Sequence, residues 1–151
     1  MDAPLGESFR ILVVDDEVEL QRSIQKYLMF QSEFPNLEVM GAGSFADGLE
    51  KAESFRPLVI LQDINLPDGN GLQLIRQIKR TYPVIQCIVI TGASDFERVL
   101  DAMAFGAADY LKKPLDMEIL SLVVRNAMER CQRWGGLLQE EYNAGTQEEE
   151  A

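Results

Sequence analysis

The sequence predicts an α/β fold, a doubly wound five-stranded parallel sheet with helices on both faces. Two observations carry that expectation. Short apolar runs of strand length alternate five times with stretches whose apolar residues recur every three or four positions. Such (βα)5 alternation argues for a mostly parallel sheet covered by helices on both sides. Turn residues punctuate the units, and 151 residues suit one domain able to bury a real core.

The first strand is Ile11–Val14. After it, Val18, Leu20, Ile24, Tyr27 and Leu28 make one apolar helix face. Phe34, Pro35 and Asn36 break that helix, and Leu37–Gly41 reads as the second strand. Ser44 is placed to cap a helix from Phe45 to Ser54, with Phe45, Leu49 and Ala52 facing inward. Arg56 and Pro57 end it and launch the third strand, Leu58–Leu61. Residues 67–71 are turn chemistry, with two glycines able to take positive φ, and Leu72, Ile75 and Ile78 mark the third helix. Tyr82 and Pro83 stop that helix before a fourth strand, Ile88–Ile90. Ser94 or Asp95 can cap a helix carrying Phe96, Val99, Leu100 and Met103, which Gly106 terminates. The last strand covers Asp109–Lys112, and Asp116 caps a final helix with Met117, Leu120, Val123, Val124, Ala127 and Met128 on its apolar side. The order of the strands is not written in this pattern. Beyond Trp134, Gly135, Gly136 and a Glu-rich end predict a frayed or flexible tail. The expected division is one domain over 9–132 and an acidic tail over 133–151.

The net charge is -11, and five of the 25 acids (Glu140, Glu141 and Glu148 to Glu150) lie in the expected tail. No basic stripe speaks for direct nucleic-acid contact. Histidine is absent, which excludes zinc–histidine sites, Ser-His-Asp triads and phosphohistidine chemistry on this chain. The two cysteines, Cys87 and Cys131, fall in apolar patterns and read as reduced packing residues. Residues 1–10 carry Asp2 and Glu7 rather than a secretion signal, and no apolar run reaches membrane-spanning length. The expectation is a cytoplasmic protein without membrane contact.

The chemistry gathers at strand ends. The first strand runs into Asp15, Asp16 and Glu17, the third through Gln62 into Asp63, the fourth into Thr91, and the last into Lys112, Lys113 and Pro114. In parallel strands these ends share one sheet edge, where open α/β sheets bind ligands. Asp15 and Asp16 suit Mg²⁺, which takes oxygen ligands, or Asp16 simply caps the first helix. Asp63, ionised beside a metal, can attack phosphorus, or it is a third metal ligand. Thr91, followed by the small Gly92 and Ala93, can donate to a phosphoryl oxygen or merely finish a strand. Lys113 is held extended by Pro114, while Lys112 points to the other side of the strand and into solvent.

Taken jointly, Ile11–Glu17, Asp63–Pro67 with Gly71 and Leu72, Ile90–Gly92, and Gly106–Pro114 make the chain resemble the receiver (CheY-like) domain of two-component response regulators over residues 9–132. The resemblance implies a flavodoxin-like strand order 2-1-3-4-5. It implies that Asp63 is the phosphoacceptor, with Lys113 and Thr91 assisting catalysis. It further implies Mg²⁺ as the cofactor, held by Asp15, Asp16, Asp63 and the backbone carbonyl of Asn65, and Thr91 and Tyr110 as a switch pair. The implied partners are a histidine kinase or phosphotransfer protein, and either a second copy or an output domain on the face made by the fourth helix, fifth strand and fifth helix. No turnover of a separate substrate is expected.

The alternative is a Mg²⁺-dependent phosphohydrolase of similar fold. Haloacid-dehalogenase-type phosphatases want an Asp two residues beyond the nucleophile, and the position two beyond Asp63 is Asn65.

Overall fold

The structure is a computed structural model that describes residues 8–31, 33–34 and 36–150, with the last four as backbone alone. Its elements in chain order are β1 (Phe9–Val14), α1 (Val18–Met29), β2 (Leu37–Ala42), α2 (Phe45–Phe55), β3 (Val59–Gln62), the two-residue strands β4 (Asn65–Leu66) and β5 (Gly69–Asn70), α3 (Gly71–Thr81), β6 (Gln86–Thr91), α4 (Phe96–Phe105), β7 (Asp109–Lys112) and α5 (Met117–Glu150). The main sheet has the order β2-β1-β3-β6-β7 with every neighbouring pair parallel. With the small antiparallel β4–β5 ribbon set aside, that is the 2-1-3-4-5 order.

Both sheet faces are covered, so the central strands carry unbroken buried apolar runs, Ile11–Val14, Val59–Leu61 and Cys87–Ile90. Successive side chains point to opposite faces. Ile11 and Val13 of β1, Val59 and Leu61 of β3, and Ile88 and Ile90 of β6 pack with Ile24 and Leu28 of α1 and Leu120, Val124 and Ala127 of α5. Their neighbours Leu12, Val14, Ile60, Cys87 and Val89 pack with Ala52 of α2, Leu74, Ile75 and Ile78 of α3, and Ala102 of α4. The two thiols lie in these cores, and burial pushes Cys87 up to about 12 and Cys131 to about 11. Both stay protonated and unreactive at neutral pH.

Most helix ends follow the expected chemistry. The Ser44 hydroxyl accepts from Asp47 N–H, Asp95 accepts from Arg98 N–H, and Asp116 accepts from Glu118 N–H. Gly106 ends α4 at φ 97. Two possibilities the sequence left open are not realised. Asp16 does not cap α1, whose N-cap residue is Glu17 with no side-chain cap. Gly69 and Gly71 are also not positive-φ glycines, since Gly106 holds that role among the described glycines. They are small because neighbours crowd them: a Cβ on Gly69 would lie 2.9 Å from the Phe45 ring.

The C-terminal backbone also differs from the reading of the sequence. Gly135 and Gly136 do not end the final helix, and α5 runs on to Glu150. Each glycine weakens a helix by about 1 kcal/mol relative to Ala. Leu137, Leu138, Gln139, Glu140 and Glu141 beyond them are all good helix formers. Pro35, Asp2, Glu7 and Ala151, which figured in the sequence reading, lie outside the described residues. No helix among the described residues is long and apolar enough to cross a membrane.

Candidate functional site

Three chemically active side chains sit one residue past a strand, each still tied to the neighbouring strand. Asp15 N–H donates to Ala42 O at 2.9 Å, Asp63 N–H to Val14 O at 2.8 Å, and Lys113 N–H to Thr91 O at 2.8 Å. Each bond continues the parallel ladder by one step. Asp15, Asp63 and Lys113 are therefore fixed at one sheet edge by the backbone, before their side chains interact. The Lys113–Pro114 peptide is cis.

The side chains then converge. Asp15, Asp16 and Asp63 each bring a carboxylate oxygen to within 4.8 Å of the others. Asp15 is fully buried, Asp63 is 6% exposed, and Asp16 opens to solvent. Lys113 Nζ lies 2.7 Å from Asp15 Oδ2, 3.0 Å from Glu17 Oε1 and 3.2 Å from Asp63 Oδ2. The contact with Asp15 is an ion pair without the alignment of a good hydrogen bond, whereas Lys113 does donate to Glu17 and Asp63. Asp15 Oδ1 accepts from the Glu17 N–H at 2.8 Å.

The electrostatics follow from this crowding. Burial pushes the Asp15 carboxyl above its ordinary value, and the nearby Asp63 charge adds to that, while Lys113 and the Glu17 N–H pull it back only in part. Burial alone would lower Lys113. Its contacts with Asp15 and Glu17 outweigh that and hold the ammonium above the usual lysine range. The same contact thus favours both charges, and for Asp15 desolvation still wins.

The other expected residues are less directly placed. Thr91 is fully buried, and its hydroxyl is engaged within its own loop, accepting from Ala93 N–H at 3.2 Å and donating to Ala93 O at 3.3 Å. Tyr110 is half-buried against the α2–α3–α4 core, with its hydroxyl donating to Ser94 Oγ at 3.1 Å. Asn65 opens the β4–β5 ribbon opposite Asn70. Lys112 is exposed, as its position on the strand predicts.

Sequence reasoning missed two contributors. Glu17 was read only as part of an acidic run, yet it is a direct partner of Lys113. Gly71 was read as a turn residue, yet its N–H donates to Ile64 O at 2.7 Å and its Cα passes against the Asp63 carbonyl. A glycine just beyond a turn was the available signal, and it said nothing about what approached it.

The donor set fits a hard divalent cation. Three carboxylates from two strand ends offer only oxygen, and the exposed side at Asp16 leaves room for the waters that Mg²⁺ keeps. An ammonium in contact with two of those carboxylates supplies a second positive charge. Such a pairing of cations around one carboxylate suits transfer of a phosphoryl group.

Residues 11–125 match the family described as response regulator receiver domain. The chain belongs to that family, in which phosphorylation and Mg²⁺ binding are general properties. It is similar to response regulator ArlR of Staphylococcus saprophyticus, with 37% identity over 123 residues, 80% of this chain and 53% of that one. It is also similar to the DNA-binding transcriptional activator DevR/DosR of Mycobacterium tuberculosis, with 32% identity over 118 residues, 78% of this chain and 53% of that one. Among solved structures it resembles a CheY-like receiver domain protein from Methanospirillum hungatei JF-1. That match has a TM-score of 0.76 at 26% identity and covers 83% of this chain and 98% of the other. The chain spans about half the length of these two curated relatives. Neither family nor relatives lend support to the phosphohydrolase alternative.

Proposed function

We propose that this receiver domain is phosphorylated on Asp63 by the phosphohistidine of a histidine kinase or phosphotransfer protein. The observation that carries the reading is the joint approach of Lys113 to Asp15 and Asp63, beside an oxygen cluster suited to a divalent ion. An Asp63 carboxylate oxygen attacks phosphorus in line. The phosphorus–nitrogen bond to the donor histidine breaks, and its electron pair returns to the imidazole ring. Lys113 shifts from the carboxylates toward the phosphoryl oxygens, whose charge it offsets. Asp15, Asp16, Asp63 and the Asn65 carbonyl would hold Mg²⁺, which would supply further positive charge near those oxygens. The domain assists its own phosphorylation and turns over no separate substrate.

Thr91 and Tyr110 carry the change outward in this reading. The Thr91 hydroxyl leaves its Ala93 contacts for a phosphoryl oxygen, and Tyr110 leaves Ser94 to fill the space behind it. Phosphate shifts this equilibrium only by its differential affinity for the two packings. The surface so altered comprises α4, β7 and α5, where a second copy or an output domain would bind. Residues 9–132 form the receiver unit, and 133–151 lie outside it.

The test is intact-mass spectrometry after treatment with acetyl phosphate and Mg²⁺, with Asp63→Asn as control. Addition of one phosphoryl group to the parent and none to the variant is expected. Equal labelling of both removes Asp63 from its assigned role.

A further inference from the structure

One polar side chain is buried in the middle of the sheet with part of its hydrogen-bonding capacity unused. Gln62 closes β3 after Val59, Ile60 and Leu61, and it is fully buried. In register it lies between Val14 of β1 and Val89 of β6, both also fully buried. Alternation along β3 puts its side chain on the same face as Ile60, beneath α2, α3 and α4. A leucine or methionine would continue that apolar surface. The glutamine instead leaves its Oε1 without a partner among the described residues, a cost to folding that an apolar side chain of similar size avoids.

The other half of the carboxamide shows what the glutamine does. Gln62 Nε2 donates to the Asp63 carbonyl at 3.0 Å, and no other donor reaches that oxygen among the described residues. Turning the amide over would set Oε1 against the carbonyl oxygen, two acceptors together, so the donor must face Asp63. On its other side Asp63 is held by the sheet, its N–H donating to Val14 O at 2.8 Å. Both peptide groups flanking the Asp63 Cα are therefore fixed, one by β1 and one by Gln62. The sheet does not supply the second hold, because β3 ends at Gln62 and the chain turns away into the β4–β5 ribbon. With φ and ψ of Asp63 set, only its side-chain torsions remain to bring Oδ2 to 3.2 Å from Lys113 Nζ.

We propose that Gln62 is a positioning residue for phosphorylation: its amide locks the peptide that follows Asp63, so the carboxylate already points at an incoming phosphoryl group. The proposal rests on the reading of Asp63 as phosphoacceptor. Gln62 itself touches neither Lys113 nor the acid cluster and acts through the backbone of its neighbour.

Time courses of labelling by acetyl phosphate and Mg²⁺, followed by intact mass on the full chain, test it beside urea unfolding in the same buffer. Gln62→Met keeps the size of the side chain and removes both amide atoms. It frees the Asp63 carbonyl but also removes the orphaned Oε1, so the unfolding midpoint should stay near the parent's. Its labelling rate at saturating acetyl phosphate should fall about tenfold, short of the roughly hundredfold that a 1 Å misplacement costs, with the half-saturating concentration unchanged. Gln62→Glu supplies the rescue. Its protonated carboxyl donates to Asp63 as the amide does and its ionised form cannot, and a buried glutamate titrates as high as about pH 8–9. Its rate relative to the parent should be near one at about pH 6 and fall toward about pH 9, while the ratio for Gln62→Met stays flat. That contrast decides the matter even if the Met variant folds poorly. A Met variant that labels at the parental rate overturns the proposal. So does a Glu variant whose ratio to the parent does not change with pH, the result for a side chain that only fills space. A parent that takes up no phosphoryl group, or an Asp63→Asn variant labelled equally, is a different outcome: it removes the role of Asp63, and this proposal with it.

Discussion

Gly71 and Asp63 meet backbone to backbone: a Cβ added to Gly71 would overlap the Asp63 carbonyl oxygen and lie 2.9 Å from Gln62 Nε2. The chain leaves β3 at Asp63, turns through the β4–β5 ribbon and returns at the start of α3. Asn70 caps that helix by accepting from Leu72 N–H at 2.8 Å. The position of Asp63 thus depends on a residue that carries no side chain.

Gly71→Ala is expected to destabilise the fold by about 1–3 kcal/mol, the usual cost of forcing atoms into a packed site. It should also slow phosphorylation of Asp63, because the backbone carrying the carboxylate must move. Urea unfolding and labelling by acetyl phosphate read the two effects. A variant with parental stability and parental rate would show that the backbone yields without moving the site.

Asp15→Asn tests the electrostatic strain at the site. The Asp15 carboxyl lies above its ordinary value, so the folded state binds that proton more tightly than the unfolded chain. The parent should therefore gain stability as pH falls from neutral through the raised value, until the unfolded chain also takes up the proton near pH 4. In metal-free buffer the Asn variant should lack this gain and be more stable than the parent at pH 7. Thermal melts across that range decide it, and a less stable variant at pH 7 would mean that the Lys113 contact outweighs burial.

Lys113→Met removes the ammonium that bridges Asp15, Glu17 and Asp63. The three carboxylates of the cluster then repel one another with less compensation. The variant should be less stable in chelator and recover more of its melting temperature on adding Mg²⁺ than the parent does, while accepting phosphate more slowly. A Mg²⁺ response no larger than the parent's would argue that the ammonium does not neutralise the acids.

Asp68 gives a pH dependence of the opposite sign. Its carboxylate accepts from Ala46 N–H at 3.0 Å and Phe45 N–H at 2.6 Å, which holds it below the usual carboxylate range. The resulting stability is present above its ordinary value near pH 4 and is lost as pH falls through the lowered value. Asp68→Asn should melt below the parent at pH 7, with the gap closing as pH falls through the lowered value. A constant gap would assign the effect to the loop rather than to the charge.

Tyr110→Ala should leave labelling of Asp63 intact while removing the phosphorylation-dependent change on the α4–β7–α5 surface. Hydrogen exchange of α4, with and without acetyl phosphate, reads that change. A response equal to the parent's would count against Tyr110 as a transmitter.

The strand runs and helix faces could be read because burial imposes local periods. Ile11 and Val13 alternate with Leu12 and Val14, and Leu72, Ile75 and Ile78 return every three residues. The caps at Ser44, Asp95 and Asp116 are equally local, since donor and acceptor lie within three residues. The end of α5 could not be read this way. Two adjacent glycines are a genuine stop signal, and stronger helix formers beyond them outweighed it.

The amino-acid order by itself determined which residues are apolar on which face and which acids and lysine stand at strand ends. Through its motifs it also determined the family. Tertiary structure alone decided that Lys113 rests between Asp15, Glu17 and Asp63, that Asp68 tethers α2, and that Gly71 must yield space to Asp63. Lys113 and Asp63 stand 50 residues apart, and they meet only because β6 pairs with β3 on one side and with β7 on the other. A chain's local periods fix which side of a strand is buried, but neighbouring strands are chosen by the packing of the whole sheet.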